Sequence, residues 1–139
     1  MTIAALVLAA GRGERLGHKV PKAYVALAGQ SLLERSLATL ESSPIIDWVQ
    51  PVIGQGDLGR YNDLNLAPSA KRLAPVVGGA ERQDSVAAGI AALPEDVEWV
   101  AVHDAARCMV STHDVTRVVE AAKVHTAALL AAPARDTIK

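Results

Sequence analysis

The sequence predicts an α/β fold: a mostly parallel sheet with helices on both faces. Short apolar runs of strand length alternate along the chain with segments whose apolar residues recur at helical spacing. The first run, Ile3 to Ala9, is apolar throughout rather than alternating, as in a strand covered on both sides. The composition suits close helix-on-sheet packing: of 139 residues, 50% are hydrophobic, mostly Ala, Val and Leu, with no Phe and two each of Trp and Tyr. That length holds one domain with a real core and divides poorly into two.

After the first strand comes a loop from Ala10 to Val20. Ser31-Leu32-Leu33-Glu34 then matches a capping box, with Ser31 as N-cap and Glu34 at the third helical position. Leu33, Leu37 and Leu40 share one face of that helix, which Ser42, Ser43 and Pro44 end. Ile45 to Ile53 reads as a second strand. Pro51 removes a ladder donor from it, so the strand is an edge, or starts late, or ends early. Gly54 to Pro68 is polar and is expected to hold a short helix within loops.

Arg72 to Val77 reads as a third strand ending at Gly78-Gly79. Glu81 to Leu93 follows as a helix, with Val86, Ile90 and Leu93 in register. Trp99 to Val102 is a short strand running into His103-Asp104. Ser111 and Asp114 mark a capped start, and Val115, Val118, Val119 and Ala122 form a helical stripe. Ala127 to Ala132 is expected as a last strand. No repeat, low-complexity tract or interdomain linker interrupts this order. Ligands of such sheets bind beyond the carboxyl ends of the strands. The segments expected there are Ala9 to Lys22, Gly78 to Ser85 and His103 to Arg107.

A net charge of −1 supplies no basic excess to drive binding to nucleic acid or an anionic membrane. One cysteine, Cys108, excludes an internal disulfide and any multi-cysteine metal site. Ile3 to Ala10 is too short for a membrane span and lacks the basic start of a signal peptide. A cytoplasmic protein is expected.

The loop after the first strand carries the chemistry. A dinucleotide fingerprint needs G-x-G-x-x-G, but Leu16 occupies the third glycine position after Gly11 and Gly13. A P-loop needs four residues between its glycines and then Lys-Ser/Thr; Gly13 and Gly17 have three, and His18 follows. Both spacings fail. What is left is a turn where Ala9, Ala10, Gly11 and Gly13 let backbone N–H groups approach an anion closely. Arg12, Arg15, Lys19 and Lys22 stand ready around its charge. A glycine turn with solvated charges is the plainer alternative. Four cations after a buried strand, at the end where ligands bind, favour the polyphosphate site.

Leu8-Ala9-Ala10-Gly11-Arg12-Gly13-Glu14-Arg15-Leu16, followed by Pro21-Lys22, resembles the signature loop of nucleotidyltransferases of the Rossmann-like nucleotide-diphospho-sugar transferase fold. Gly78-Gly79-Ala80-Glu81-Arg82-Gln83-Asp84-Ser85-Val86, Val102-His103-Asp104-Ala105-Ala106-Arg107 and Ala132 to Lys139 narrow the likeness. Together they resemble the 2-C-methyl-D-erythritol 4-phosphate cytidylyltransferases of non-mevalonate isoprenoid biosynthesis. The likeness covers the whole chain, in order.

The resemblance implies transfer of CMP from CTP to methylerythritol phosphate, with release of pyrophosphate. It makes Arg15 and Lys22 the transition-state cations, tasks that suit a fixed guanidinium and a compact ammonium. Asp104 is implied as the ligand of Mg²⁺ bridging the triphosphate, where a lone aspartate is otherwise most often a turn or cap. Ala9, Ala10, Gly11 and Gly13 form the triphosphate turn. Gly78, Gly79 and Ser85 are implied as the cytosine and ribose wall, with Ala105 on the ribose side; Ser85 also reads as a buried or capping hydroxyl. Arg107 is structural or acceptor-facing, and Arg135, Asp136 and Thr137 match the stretch beside the acceptor. His103 reads as structural, and His18, His113 and His125 receive no role.

Two departures from the family pattern stand out. Cys108 occupies a position that is usually proline, which loosens the loop after Asp104 modestly. Family members also run on beyond Lys139, through a β-arm that swaps between the subunits of a homodimer and a late stretch bearing an aspartate and a lysine. Some are fused to a second enzyme of the pathway. The chain is accordingly expected to be the amino-terminal part of such an enzyme, one CTP-binding domain over residues 1–139 with its acceptor half incomplete. The competing readings are a ribitol-phosphate cytidylyltransferase, a molybdopterin guanylyltransferase, a non-catalytic CTP-binding fragment, and an α/β domain without a ligand. The Gly-Gly-Ala-Glu-Arg and His-Asp-Ala-Ala-Arg stretches disfavour the guanylyltransferase.

Overall fold

The computed structural model describes residues 1–11 and 20–134. Strand β1 (Thr2–Ala9) opens the fold. A 3-10 turn, Lys22–Tyr24, leads into the small hairpin of β2 (Ala26–Leu27) and β3 (Gln30–Ser31), then into α1 (Leu32–Ser42). Next come β4 (Trp48–Ile53), the short α2 (Leu58–Asn62) and the two-residue β5 (Val76–Val77). Helix α3 (Arg82–Ala91), β6 (Val97–Asp104) and α4 (Thr112–His125) complete the described elements. The main sheet is parallel, in the order β5-β4-β1-β6.

Strand β1 lies at its centre, and its side chains alternate between two covered faces. Ile3, Ala5, Val7 and Ala9 join a core with Leu33, Leu37 and Leu40 of α1 and Val115 and Val119 of α4. Leu6 faces the other way, toward α3. There Gly89 lets helix and sheet meet: a Cβ on it would lie 2.9 Å from Val52 and 3.0 Å from Leu6. Helices thus lie on both faces, as the sequence predicts, although α3 covers β1 and β4 and leaves Val100 and Val102 of β6 exposed on its side. The chain starts α1 where the capping box says it should. The Ser31 hydroxyl accepts the Glu34 N–H at 3.1 Å, and the Glu34 carboxylate accepts the Ser31 N–H at 2.6 Å.

Pro51 shows how this sheet tolerates a missing donor. Of the options left open, the strand starts late, at Trp48, and it lies one position in from the edge. The backbone of Val49 pairs outward with the chain at Lys71 and Leu73, and the Ile53 carbonyl accepts from Gly78. Pro51 faces the gap between these two contacts. The buried Gln50 fills that gap, its Nε2 donating to the Pro51 carbonyl at 2.9 Å and the Ala74 carbonyl at 2.8 Å. The strand expected over Arg72 to Val77 is correspondingly broken into a single bridge at Arg72 and the two residues of β5.

Two expectations need correction. The helix expected to Leu93 ends at Ala91. Ala127 to Ala132 is not a strand: it is exposed irregular chain, with Leu129 78% exposed, after a left-handed turn at Thr126. A strand exists only through its pairing, and an alanine-rich run has little intrinsic preference for one. Among the described residues no helix is long and apolar enough to cross a membrane.

Candidate active site

A cleft of about 520 Å³ opens beyond the carboxyl ends of β1, β5 and β6, where open α/β sheets hold their ligands. Its floor is the end of β1: Leu8, Ala9, Ala10 and Gly11. Small side chains there bring the backbone to the surface of the cleft.

The Lys22 wall follows from packing. Ala23 is buried beside α1, and the turn closes by hydrogen bonds from Tyr24 to the Pro21 carbonyl (2.9 Å) and from Val25 to the Lys22 carbonyl (3.1 Å). With Ala23 anchored inward, Lys22 stands exposed at the cleft. Pro21 sets the entry to this turn with φ −55°.

The opposite wall is the start of α3. Gly79, Ala80, Glu81, Arg82 and Ser85 line it, so the positive end of that helix faces the cleft. Gly78 lies behind the wall. Its N–H donates to the Ile53 carbonyl at 2.8 Å, and a Cβ there would overlap the Ser85 hydroxyl and come within 2.8 Å of the Ala10 Cβ. A Cβ on Gly79 would overlap Asp84. The Gly-Gly pair is therefore what lets α3 approach the β1 turn. Ser85 is buried and donates to the Glu81 carbonyl at 3.2 Å.

The third side is the tip of β6. Asp104 stands opposite Leu8 in the sheet register, and Ala106 and Arg107 line the cleft beyond it. The carboxylate is held from two elements. Arg82 donates to Oδ1 through Nη2 at 3.1 Å and Nε at 3.3 Å, while Arg107 Nε donates to Oδ2 at 3.2 Å. The guanidinium side chains are 62% and 80% exposed, so each pair contributes about 0–1 kcal/mol to stability.

His103 points away into the fold. Burial pushes its imidazole below the usual value, and Nε2 lies 3.4 Å from the Ser36 hydroxyl. Its expected structural role fits that position.

Of the residues named from sequence, Ala9, Ala10, Gly11, Lys22, Gly79, Ser85, Asp104 and Arg107 come together around one cleft. Gly78 supports it from behind. Ala105 does not line it: its side chain is buried, its N–H donates to the Leu8 carbonyl and its carbonyl accepts from Ser36. It braces the floor against α1, and the half-buried Ala106 lines the cleft instead. Gly13, Arg15, Arg135, Asp136 and Thr137 lie outside the described residues, as do Arg12 and Lys19. Sequence reading missed Arg82. The available signal was a cation in the first turn of a helix, where the macrodipole disfavours one.

Among the described residues no group of three or more His, Cys, Asp or Glu side chains is placed to hold a metal. A lone carboxylate at the rim does fit Mg²⁺, which is commonly bound by one or two carboxylates together with substrate phosphates and water.

The model of the 2-C-methyl-D-erythritol 4-phosphate cytidylyltransferase family matches residues 3–139. The chain belongs to that family. It is 46% identical over 138 residues to the 2-C-methyl-D-erythritol 4-phosphate cytidylyltransferase of Photobacterium profundum, covering 99% of this chain and 58% of that protein. It is 41% identical to a bifunctional enzyme IspD/IspF of a Bradyrhizobium species, covering 98% of this chain and 34% of the relative. Among solved structures, the 4-diphosphocytidyl-2C-methyl-D-erythritol synthase of Anaerococcus prevotii superposes with a TM-score of 0.74 at 27% identity, over 86% of this chain and 50% of that one. The chain thus spans little more than half the length of its cytidylyltransferase relative from Photobacterium. Family membership supports the nucleotidyltransferase fold expected from the signature loop.

Proposed function

We propose that the protein is a cytoplasmic cytidylyltransferase that transfers CMP from CTP to 2-C-methyl-D-erythritol 4-phosphate and releases pyrophosphate. The observation that carries this reading is the convergence on one cleft of the β1 turn, Lys22, the start of α3 and Asp104, in a chain of this family.

The β1 turn and the amino end of α3 offer backbone N–H groups to the triphosphate. Gly79 and Ser85 shape the wall for cytosine and ribose, where backbone groups can read a pyrimidine edge. A phosphate oxygen of the acceptor attacks the α-phosphorus of CTP, and the bond to the pyrophosphate oxygen breaks. Negative charge grows on the five-coordinate phosphorus and the leaving group, so the protein works by positioning and by fixed charge. Lys22 meets that charge from the edge of the cleft. By family resemblance Arg15 meets it from the signature loop, and Arg135, Asp136 and Thr137 face the acceptor. Asp104 would hold Mg²⁺, whose chemistry is to neutralise and orient the triphosphate.

The test is pyrophosphate release from CTP and Mg²⁺ with methylerythritol phosphate, set beside the same mixture with ribitol 5-phosphate. Release with the first acceptor alone is expected. Release with ribitol phosphate alone would move the protein to that class, and calorimetric CTP binding without release from either acceptor would favour a binding fragment.

A further inference from the structure

The double hold on Asp104 has no structural purpose that its surroundings explain. Arg82 puts a guanidinium at the positive end of its own helix, which costs rather than stabilises. Arg107 reaches back from a loop while 80% exposed. Pairs so exposed add little to the fold, and they break easily. Yet they join α3 to the loop after β6 across the mouth of the cleft, and each carboxylate oxygen of Asp104 accepts from a different arginine.

Resting on the cytidylyltransferase reading, we propose that Arg82 and Arg107 are exchangeable counter-ions of Asp104. Without nucleotide they neutralise the carboxylate and keep a free divalent cation off it. With a cation-bound triphosphate in the cleft, the carboxylate turns to the cation, and both guanidiniums transfer to phosphate oxygens. Their planar forks match phosphate as well as carboxylate, so no donor is stranded by the exchange. Cation and nucleotide then bind as a unit, each raising the other's affinity by the same factor. Arg82 and Arg107 are in this sense positioning residues: they act through Asp104 until the nucleotide arrives.

Mn²⁺ binding, followed by water-proton relaxation, tests this without turnover. The chain and its Arg82→Gln/Arg107→Gln variant are titrated with Mn²⁺ alone, then with an α,β-methylene analogue of CTP present. Mn²⁺ alone is expected to bind the double variant about fivefold tighter or more, within the usual range of coupling between sites. Adding Asp104→Asn should remove that gain. Arg82→Lys/Arg107→Lys, which keeps the charge, should leave Mn²⁺ as weakly bound as in the unmodified chain; the single variants Arg82→Gln and Arg107→Gln, each expected to show part of the gain, carry the test if the double variant misfolds. Unchanged Mn²⁺ affinity in the glutamine variant, or a gain that survives Asp104→Asn, overturns the exchange. The two readings fail separately. A gain in Mn²⁺ with no binding of the CTP analogue keeps the arginines as counter-ions that exclude the cation but overturns their transfer to nucleotide and sinks the cytidylyltransferase reading; CTP binding with unchanged Mn²⁺ keeps that reading and overturns the counter-ion role.

Discussion

Lys22 and Gly78 show how much of the site rests on single residues. Lys22 makes no hydrogen bond or ion pair to another described side chain, and Ala23 rather than Lys22 anchors its turn. Lys22→Ala should therefore fold normally. If the ammonium meets transition-state charge, turnover in the pyrophosphate assay should fall by about 10²–10³-fold, the usual loss for a fixed electrostatic contact. Gly78 behaves differently because it touches fold and site together. An added Cβ must displace the Ser85 hydroxyl and crowd Ala10. Gly78→Ala should cost roughly 1–3 kcal/mol in urea unfolding, as overpacking does, and weaken CTP binding through the displaced wall. A variant of unchanged stability would mean that α3 yields more readily than its close packing indicates.

Individual elements carry their own tests. The start of α1 depends on Ser31 and Glu34, and Ser31→Ala should cost about 1 kcal/mol. Glu34 adds a pH dependence. Burial alone would raise its carboxyl, but hydrogen bonds from Ser31 and Asn65 outweigh that and hold it below the usual value of 4.5. A carboxyl depressed in the folded state stabilises fully above its unfolded pKa, and the contribution disappears as pH falls through the folded one. Urea midpoints should therefore drop more steeply below pH 4.5 in the natural chain than in Glu34→Gln. Equal slopes would show that the cap contributes no linked proton. In β4, Gln50 substitutes for the bond that Pro51 cannot make. Gln50→Leu leaves the Ala74 carbonyl without its donor and should cost about 1–3 kcal/mol.

At the scale of the whole molecule, the sheet gathers segments far apart in sequence. The β1 turn, Gly79 and Asp104 share one cleft because β1 is central and parallel to both β4 and β6, so all carboxyl ends point the same way. A ligand spanning those ends should stabilise the fold as a unit. If the proposed nucleotide site is right, CTP with Mg²⁺ at a hundredfold excess over its Kd would add about 2.7 kcal/mol, or roughly 5–10 °C of Tm for a chain of this size. Differential scanning fluorimetry should show that rise, and Asp104→Ala should diminish it. A full rise in that variant would remove Asp104 from the nucleotide site.

The sequence by itself determined the α/β alternation, the capped start of α1 and, among the described residues, which three parts of the chain contribute to the cleft. Each is written in local periodicity, in a side chain that caps its own helix, or in a contiguous motif. Tertiary structure decided what depends on residues distant in the chain. Gln50 rescues Pro51 only because Ala74 lies alongside. Ala105 belongs to the floor because Leu8 and Ser36 bind its backbone. Arg82 enters the site because α3 packs across from β6 and brings it to Asp104. Ala127 to Ala132 has strand-like hydrophobicity but no pairing among the described residues, and without a partner's N–H and C=O groups such a run stays irregular.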